Sequence, residues 1–175
     1  YVYSANNQPD SVNDVLYPGY YYPRSRAGRI EELIRENKKW TLDDMKSVNL
    51  DVTSRMHADI AHEIALILRS TNKIEFKEIV TQLGSWKGDH QAEQSAPAIY
   101  NNILSLIMRM AMSDEITDKA FETIAATSIL KNSYEQFIKN ENSLWWDNQN
   151  TEVKETRTMI VENAANKTIS LLTEI

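Results

Sequence analysis

Apolar residues recur every three or four positions along most of this chain, which predicts helix after helix. Ala27, Ile30, Leu33 and Ile34 form such a stripe in a first helix from about Arg26 to Asn37. Glu31, Glu32 and Arg35 take its other face, and Asn37-Lys38-Lys39 suits its end. Thr41 is a good N-cap for the next helix, and Asp43 and Asp44 complement the positive end of its dipole. Met45, Val48, Val52, Met56, Ile60, Ile64 and Ile67 or Leu68 then keep the spacing. They predict one helix of about seven turns, ending near Arg69.

Asn72-Lys73 interrupts the pattern, and Phe76, Ile79, Val80 and Leu83 predict a short helix stopped near Gly84. Ser85 to His90 reads as a turn anchored by Trp86, followed by polar loop up to Pro97, a residue suited to a first helical turn. From Pro97 to Met112 apolar residues cover more than one face, so this helix is expected to be the most buried. Ser113-Asp114-Glu115 is read as the cap of a segment over 114–126, and Leu130, Tyr134, Phe137 and Ile138 predict another over 128–139. A loop carrying Leu144-Trp145-Trp146-Asp147 leads to a last helix from Thr151 to about Thr173.

The first residues break this rhythm. Residues 1–5 alternate as a strand does, and Asn6-Asn7-Gln8-Pro9-Asp10 has turn chemistry. Residues 11–24 read as a loop holding Tyr17, Tyr20, Tyr21 and Tyr22, tyrosines expected to pack against this domain or another body. A strand beginning at Tyr1 needs neighbours to pair with. The chain is therefore expected to be a piece of a longer protein, with a trimmed independent domain as the alternative. The predicted fold is all-α: an irregular bundle of about six or seven helices with a strand stub, residues 1–25 forming strand end and Tyr-rich loop and 26–175 the helical part of one domain.

Composition narrows the function. Four glycines and four prolines in 175 residues suit long helices better than a many-turned β-protein. A net charge of −6 gives no basic footprint, so no nucleic-acid partner is expected. No apolar run is long enough for a membrane span. The absence of cysteine excludes thiolate catalysis and disulfides.

Candidate chemistry is sparse. Asp59, His62 and Glu63 share a helical face at metal-ligand spacing, but Leu66 stands where a zinc-protease pattern needs its second histidine, and a solvated face is the better reading. Asp43-Asp44 and Asp114-Glu115 are read as helix caps rather than general acids and bases. Ser25, Ser54, Ser85 and Ser95 lie in no nucleophile elbow. Asn166-Lys167-Thr168 matches a glycosylation triplet inside a predicted helix and is read as coincidence. Arg24, Arg26 and Arg29 crowd a helix start, where the dipole prefers anions; they are either functional or surface arginines. Asn6 either belongs to a turn or aims its amide at a developing oxyanion.

In order and spacing, these pieces resemble the large subunit of penicillin-amidase-type enzymes, the N-terminal-nucleophile hydrolases that include penicillin, cephalosporin and acyl-homoserine-lactone acylases. The resemblance rests on Ser4-Ala5-Asn6-Asn7, Arg26-Ala27-Gly28-Arg29-Ile30, Thr41-Leu42-Asp43-Asp44, Leu50-Asp51-Val52-Thr53-Ser54, Trp86-Lys87-Gly88, Ser95-Ala96-Pro97-Ala98, Leu144-Trp145-Trp146-Asp147 and Glu155-Thr156-Arg157. It implies a linear-amide hydrolase acting on a small N-acyl substrate. The nucleophile would be the first residue of the processed large subunit, exposed by autoproteolysis, with its own amino group as base. Asn6 matches the oxyanion donor, and Arg29 the arginine beside the nucleophile, with Arg26 behind it.

The same resemblance implies further expectations. The partners are the rest of the acylase, the location periplasmic or secreted, and the isolated chain inactive for want of a nucleophile. No cofactor is required for catalysis; a structural calcium ion belongs to many members, with Asp10 or Asp14 as contributors. Lys87 departs from the family's usual acid in the Trp-Asp-Gly turn. The rival reading is a non-enzymatic helical interaction module using the tyrosine loop and Trp145-Trp146 as contact surface.

Overall fold

The structure is a computed structural model that describes residues 3–36 and 39–173. Eight α-helices follow one another among these residues: α1 (Ser25–Glu36), α2 (Leu42–Asn49), α3 (Arg55–Ser70), α4 (Lys77–Ser85), α5 (Ala96–Ile116), α6 (Asp118–Ala125), α7 (Ser128–Lys139) and α8 (Arg157–Thr173). Short 3₁₀ turns at Ile74–Phe76 and Leu144–Trp146 complete the predicted all-α bundle. No helix among the described residues is long and apolar enough to cross a membrane.

The core forms where the wide apolar faces meet. Helix α5 buries Ile99, Tyr100, Ile103, Leu104, Ile107 and Met108, side chains that point to more than one side, as its pattern predicts. Helix α3 supplies Ile60, Ile64, Ala65 and Leu68, and α8 closes the far side with Ile160, Val161, Ala164 and Ala165. The loop before α8 is fastened by polar groups. Trp146 is buried, stacks on Phe137 with ring centroids 4.1 Å apart and donates from its indole to the Asn140 carbonyl at 2.7 Å. Arg157 donates to the Ile138 carbonyl at 3.0 Å and pairs with Glu141 and Glu63.

Three sequence expectations fail for local reasons, and a fourth, the strand over 1–5, is met in none of its described residues. No strand occurs among the described residues; residues 3–5 carry none, and Tyr1 and Val2 lie outside the described set. The predicted end of α1 at Asn37 and Lys38 lies outside it as well. The single long helix over 41–69 is two helices, α2 and α3, because the chain breaks at 50–54. There Asp51 turns its carboxylate onto the Thr53 amide at 3.0 Å, and the Ser54 hydroxyl accepts from the His57 amide to start α3 anew. The apolar spacing runs through this break, but Met45, Leu50 and Val52 are exposed, so it recorded no buried stripe.

Asp114 and Glu115 do not cap a new helix. They sit in the last turn of α5, and Thr117, at φ 59°, caps α6 by accepting from the Ala120 amide. An acidic pair at the negative end of a dipole is unfavourable. Burial, and then the neighbouring Asp114 carboxyl, push the Glu115 carboxyl up to about 7. Lastly, α8 starts at Arg157 rather than Thr151. Over 147–156 side chains compete with the helix: Asp147 accepts from the Glu155 amide at 3.0 Å, and Glu155 from the Asn148 amide at 3.1 Å.

Candidate active site

The break between α2 and α3 creates the most connected polar cluster near the N-terminal segment. Arg29, on α1, faces it. Its Nε donates to Asp51 Oδ1 at 3.1 Å and its Nη2 to Asp51 Oδ2 at 2.7 Å, a bidentate fork. Its Nη1 donates to Glu32 Oε2 at 3.1 Å, one turn along the same helix. Glu32 in turn accepts from Arg55 Nε at 2.8 Å. The Arg29 side chain is 23 % exposed and that of Asp51 17 %, so the pair is well shielded from water. Each charge holds the other: Arg29 keeps the Asp51 carboxyl below its usual range, and Asp51 raises the guanidinium pKa.

What holds Asp51 is a second layer. Its Oδ1 also accepts from the Thr53 amide, and Thr53 pairs with Asp89 in an isolated antiparallel bridge. Around that bridge the Ser54 amide donates to the Gly88 carbonyl at 2.8 Å, and the His90 amide to the Val52 carbonyl at 3.2 Å. Gly88 adopts φ 84°, and a Cβ there would fall 2.0 Å from the Ser54 carbonyl oxygen. Only glycine fits this close approach. Trp86 pins the turn, with its indole on the Asp89 carbonyl at 2.9 Å and its own carbonyl accepting from His62 Nε2 at 2.8 Å. Three separated blocks of sequence, around Arg29, Asp51 and Gly88, thus meet at one place. A hollow of about 530 Å³ opens beside them, lined by Arg29, Thr53, Arg55, Asp59, Lys87 and Asp89.

Asn6 lies on the segment before α1. It is exposed and adopts φ 58°, a left-handed conformation that asparagine tolerates better than most residues. Its carbonyl accepts from the Tyr22 amide at 2.8 Å, which folds the tyrosine loop back on the turn. No hydrogen bond of its side-chain amide is formed among the described residues. Asn6 does not line the hollow beside Arg29, nor the separate one of about 470 Å³ that Asn7, Asp10, Arg24 and Glu31 border. The two predicted site residues are therefore not gathered into one cavity by these residues.

The other candidates resolve as follows. Arg24 pairs with Asp10 at 2.9 Å on the surface, and Arg26 is exposed. Asp10 is thereby engaged, Asp14 is exposed, and neither joins a group of three or more acidic or histidine side chains able to hold an ion among the described residues. The residues offered for calcium do not fit such a site. Asp59, His62 and Glu63 form no ligand set either, since His62 bonds to the Trp86 carbonyl and Glu63 to Arg157. Asp51 is the residue whose importance the helix pattern hid. The signal was present in Asp51-Val52-Thr53-Ser54, where a turn-forming acid and a capping serine flank two β-branched residues.

No curated protein and no solved structure matches the chain. The family model described as Penicillin amidase matches residues 1–175, the whole chain. The chain therefore belongs to the penicillin amidase family of amide hydrolases.

Proposed function

We propose that the complete enzyme cleaves the amide bond of a small N-acyl substrate, and that these residues form one wall of its active site. The side-chain N–H of Asn6 donates to the oxyanion of the tetrahedral intermediate, and Arg29 orders the surroundings of the nucleophile. What supports the reaction class is family membership. The observation that carries the role of Asn6 is its left-handed backbone, which holds an exposed amide that no described residue takes up. A residue kept in a sparsely populated conformation with an uncommitted donor fits a site waiting for charge to develop. Arg29 fits a positioning role, because Asp51 and Glu32 fix its fork.

In this reading the nucleophile, the first residue of the processed large subunit, comes from outside these 175 residues. Its own amino group serves as base, so no cofactor is required. The remaining acylase segments are the partners, and the enzyme works in the periplasm or outside the cell. A helical interaction module is the weaker reading: Tyr17, Tyr20, Tyr22 and Trp145 are exposed as it requires, but the family model that matches the whole chain is that of a hydrolase.

The test is the Asn6→Ala variant of the complete enzyme on a chromogenic acyl-amide. Loss of one oxyanion donor is expected to lower kcat by about 10²–10³-fold with little change in KM. An unchanged kcat removes the oxyanion role.

A further inference from the structure

A second hollow, whose lining shares no residue with that of the hollow beside Arg29, is bordered by Ser25 of α1 and by Met56 and His57 of α3. It lies among α5, α6 and α7, and Tyr22 and Pro23 of the tyrosine loop border it. At about 490 Å³ it falls within the range of small-molecule sites, roughly 300–1,000 Å³. Its walls include Leu104 and Met108 of α5, Phe121 of α6 and Leu130 of α7, all of them buried residues of the core.

Two polar features are unexplained by the fold. Tyr100 is 1 % exposed, and its hydroxyl has no hydrogen-bond partner among the described residues. A buried hydroxyl without a partner costs stability, so its persistence here points to a group that completes it. Lys131, the residue after Leu130, is exposed at the border of the same hollow, and no carboxylate among the described residues lines it. The charge of Lys131 disfavours a cation at its neighbour His57, after burial and His90, and His57 is therefore neutral at pH 7. The hollow combines apolar walls, one uncompensated cation and one orphaned donor.

We propose that this hollow is a second binding site, distinct from the amide-cleaving one, for a monocarboxylic acid with a short apolar chain. The ligand's apolar chain lies against Leu104, Met108, Phe121 and Leu130. The carboxylate takes the Tyr100 hydroxyl proton as a hydrogen bond and meets the Lys131 ammonium. A neutral amphiphile fills the apolar part but leaves Lys131 unanswered, so the site discriminates by charge.

Octanoate is a suitable probe and 1-octanol its neutral analogue, titrated calorimetrically into the complete protein. Octanoate should bind, with 1-octanol about tenfold weaker. Lys131→Met should abolish that preference. Tyr100→Phe should weaken octanoate about fivefold, while the ligand-free variant melts at the same or a higher temperature, because its lost hydroxyl had no partner. Ser105 lies exposed at the border of the hollow, and Ser105→Phe should block octanoate without changing acyl-amide turnover. That last contrast separates this site from an acyl pocket of the hydrolase. The proposal is overturned if octanoate fails to bind, if Ser105→Phe or Lys131→Met leaves its affinity unchanged, or if Tyr100→Phe lowers the ligand-free melting temperature.

Discussion

Residues 3–24 and the helical body handle their apolar side chains in opposite ways. In the body, Ile64, Ile103, Ile107 and Val161 are completely shielded. In the N-terminal segment Val12, Val15 and Leu16 are 55–63 % exposed, and Tyr17 and Tyr20 are exposed too. The segment is tied down by backbone and polar bonds instead: Tyr22 to Asn6, the Ser128 amide to the Tyr20 hydroxyl at 3.2 Å, and Asn132 to the Tyr21 carbonyl at 3.1 Å. The body is stabilised by burial, which grows with apolar area removed from water, whereas the segment gains little from that source. Stability and the proposed oxyanion donor are thereby housed in different parts of the chain.

The largest expected effect contrasts the two parts directly. Ile103→Ala, at the centre of α5, should destabilise by about 4 kcal/mol, as lost transfer energy and a cavity add together. Val15→Ala should leave chemical denaturation unchanged. A measurable loss at Val15 would mean that the segment belongs to the core energetically.

Gly88→Ala comes next, and it sharpens the comparison by linking the body to the site. The positive φ and the 2.0 Å approach to the Ser54 carbonyl predict a loss of about 3 kcal/mol. Because the displaced turn also carries the Thr53–Asp89 bridge behind Asp51, activity of the surviving folded enzyme should fall as well. Full activity in the folded fraction would uncouple Gly88 from the Arg29 cluster.

A pH dependence confined to the body extends the comparison. Burial first, then the nearby His90 and Lys131, lower the His57 pKa from about 6.5 to about 4. Since the unfolded chain binds the proton more readily, stability should fall as pH drops from about 6.5 to about 4 and not change further from this group below that. His57→Gln should flatten this part of the urea-denaturation profile. A slope that survives the substitution would assign it to another group.

How much of this was legible in the sequence follows from what each pattern measures. Helix α5 was readable because its apolar residues are buried, so spacing and packing agree. The α2–α3 break was not, because Met45, Val48 and Val52 keep helical spacing while Met45 and Val52 face solvent. Periodicity records which residues are apolar, not whether something covers them. Asn6 and Arg29 could be singled out from the order of the family-like blocks. The Asp51 fork could not, since it joins residues 22 positions apart across a turn read as helix interior. The placement of Asp114 and Glu115 failed for a related reason: an acidic pair suits a helix start, and only the Thr117 cap shows that the start lies beyond them.

The account turns on whether Asp51 acts through Arg29. A double-mutant cycle in kcat/KM on the complete enzyme, with Arg29→Gln, Asp51→Asn and both together, measures this most directly. Each single change is expected to cost at least about tenfold, and the double variant should be no worse than Arg29→Gln alone, because without the guanidinium Asp51 has nothing left to position. Losses that multiply would show the two residues acting independently and would contradict the proposed clamp.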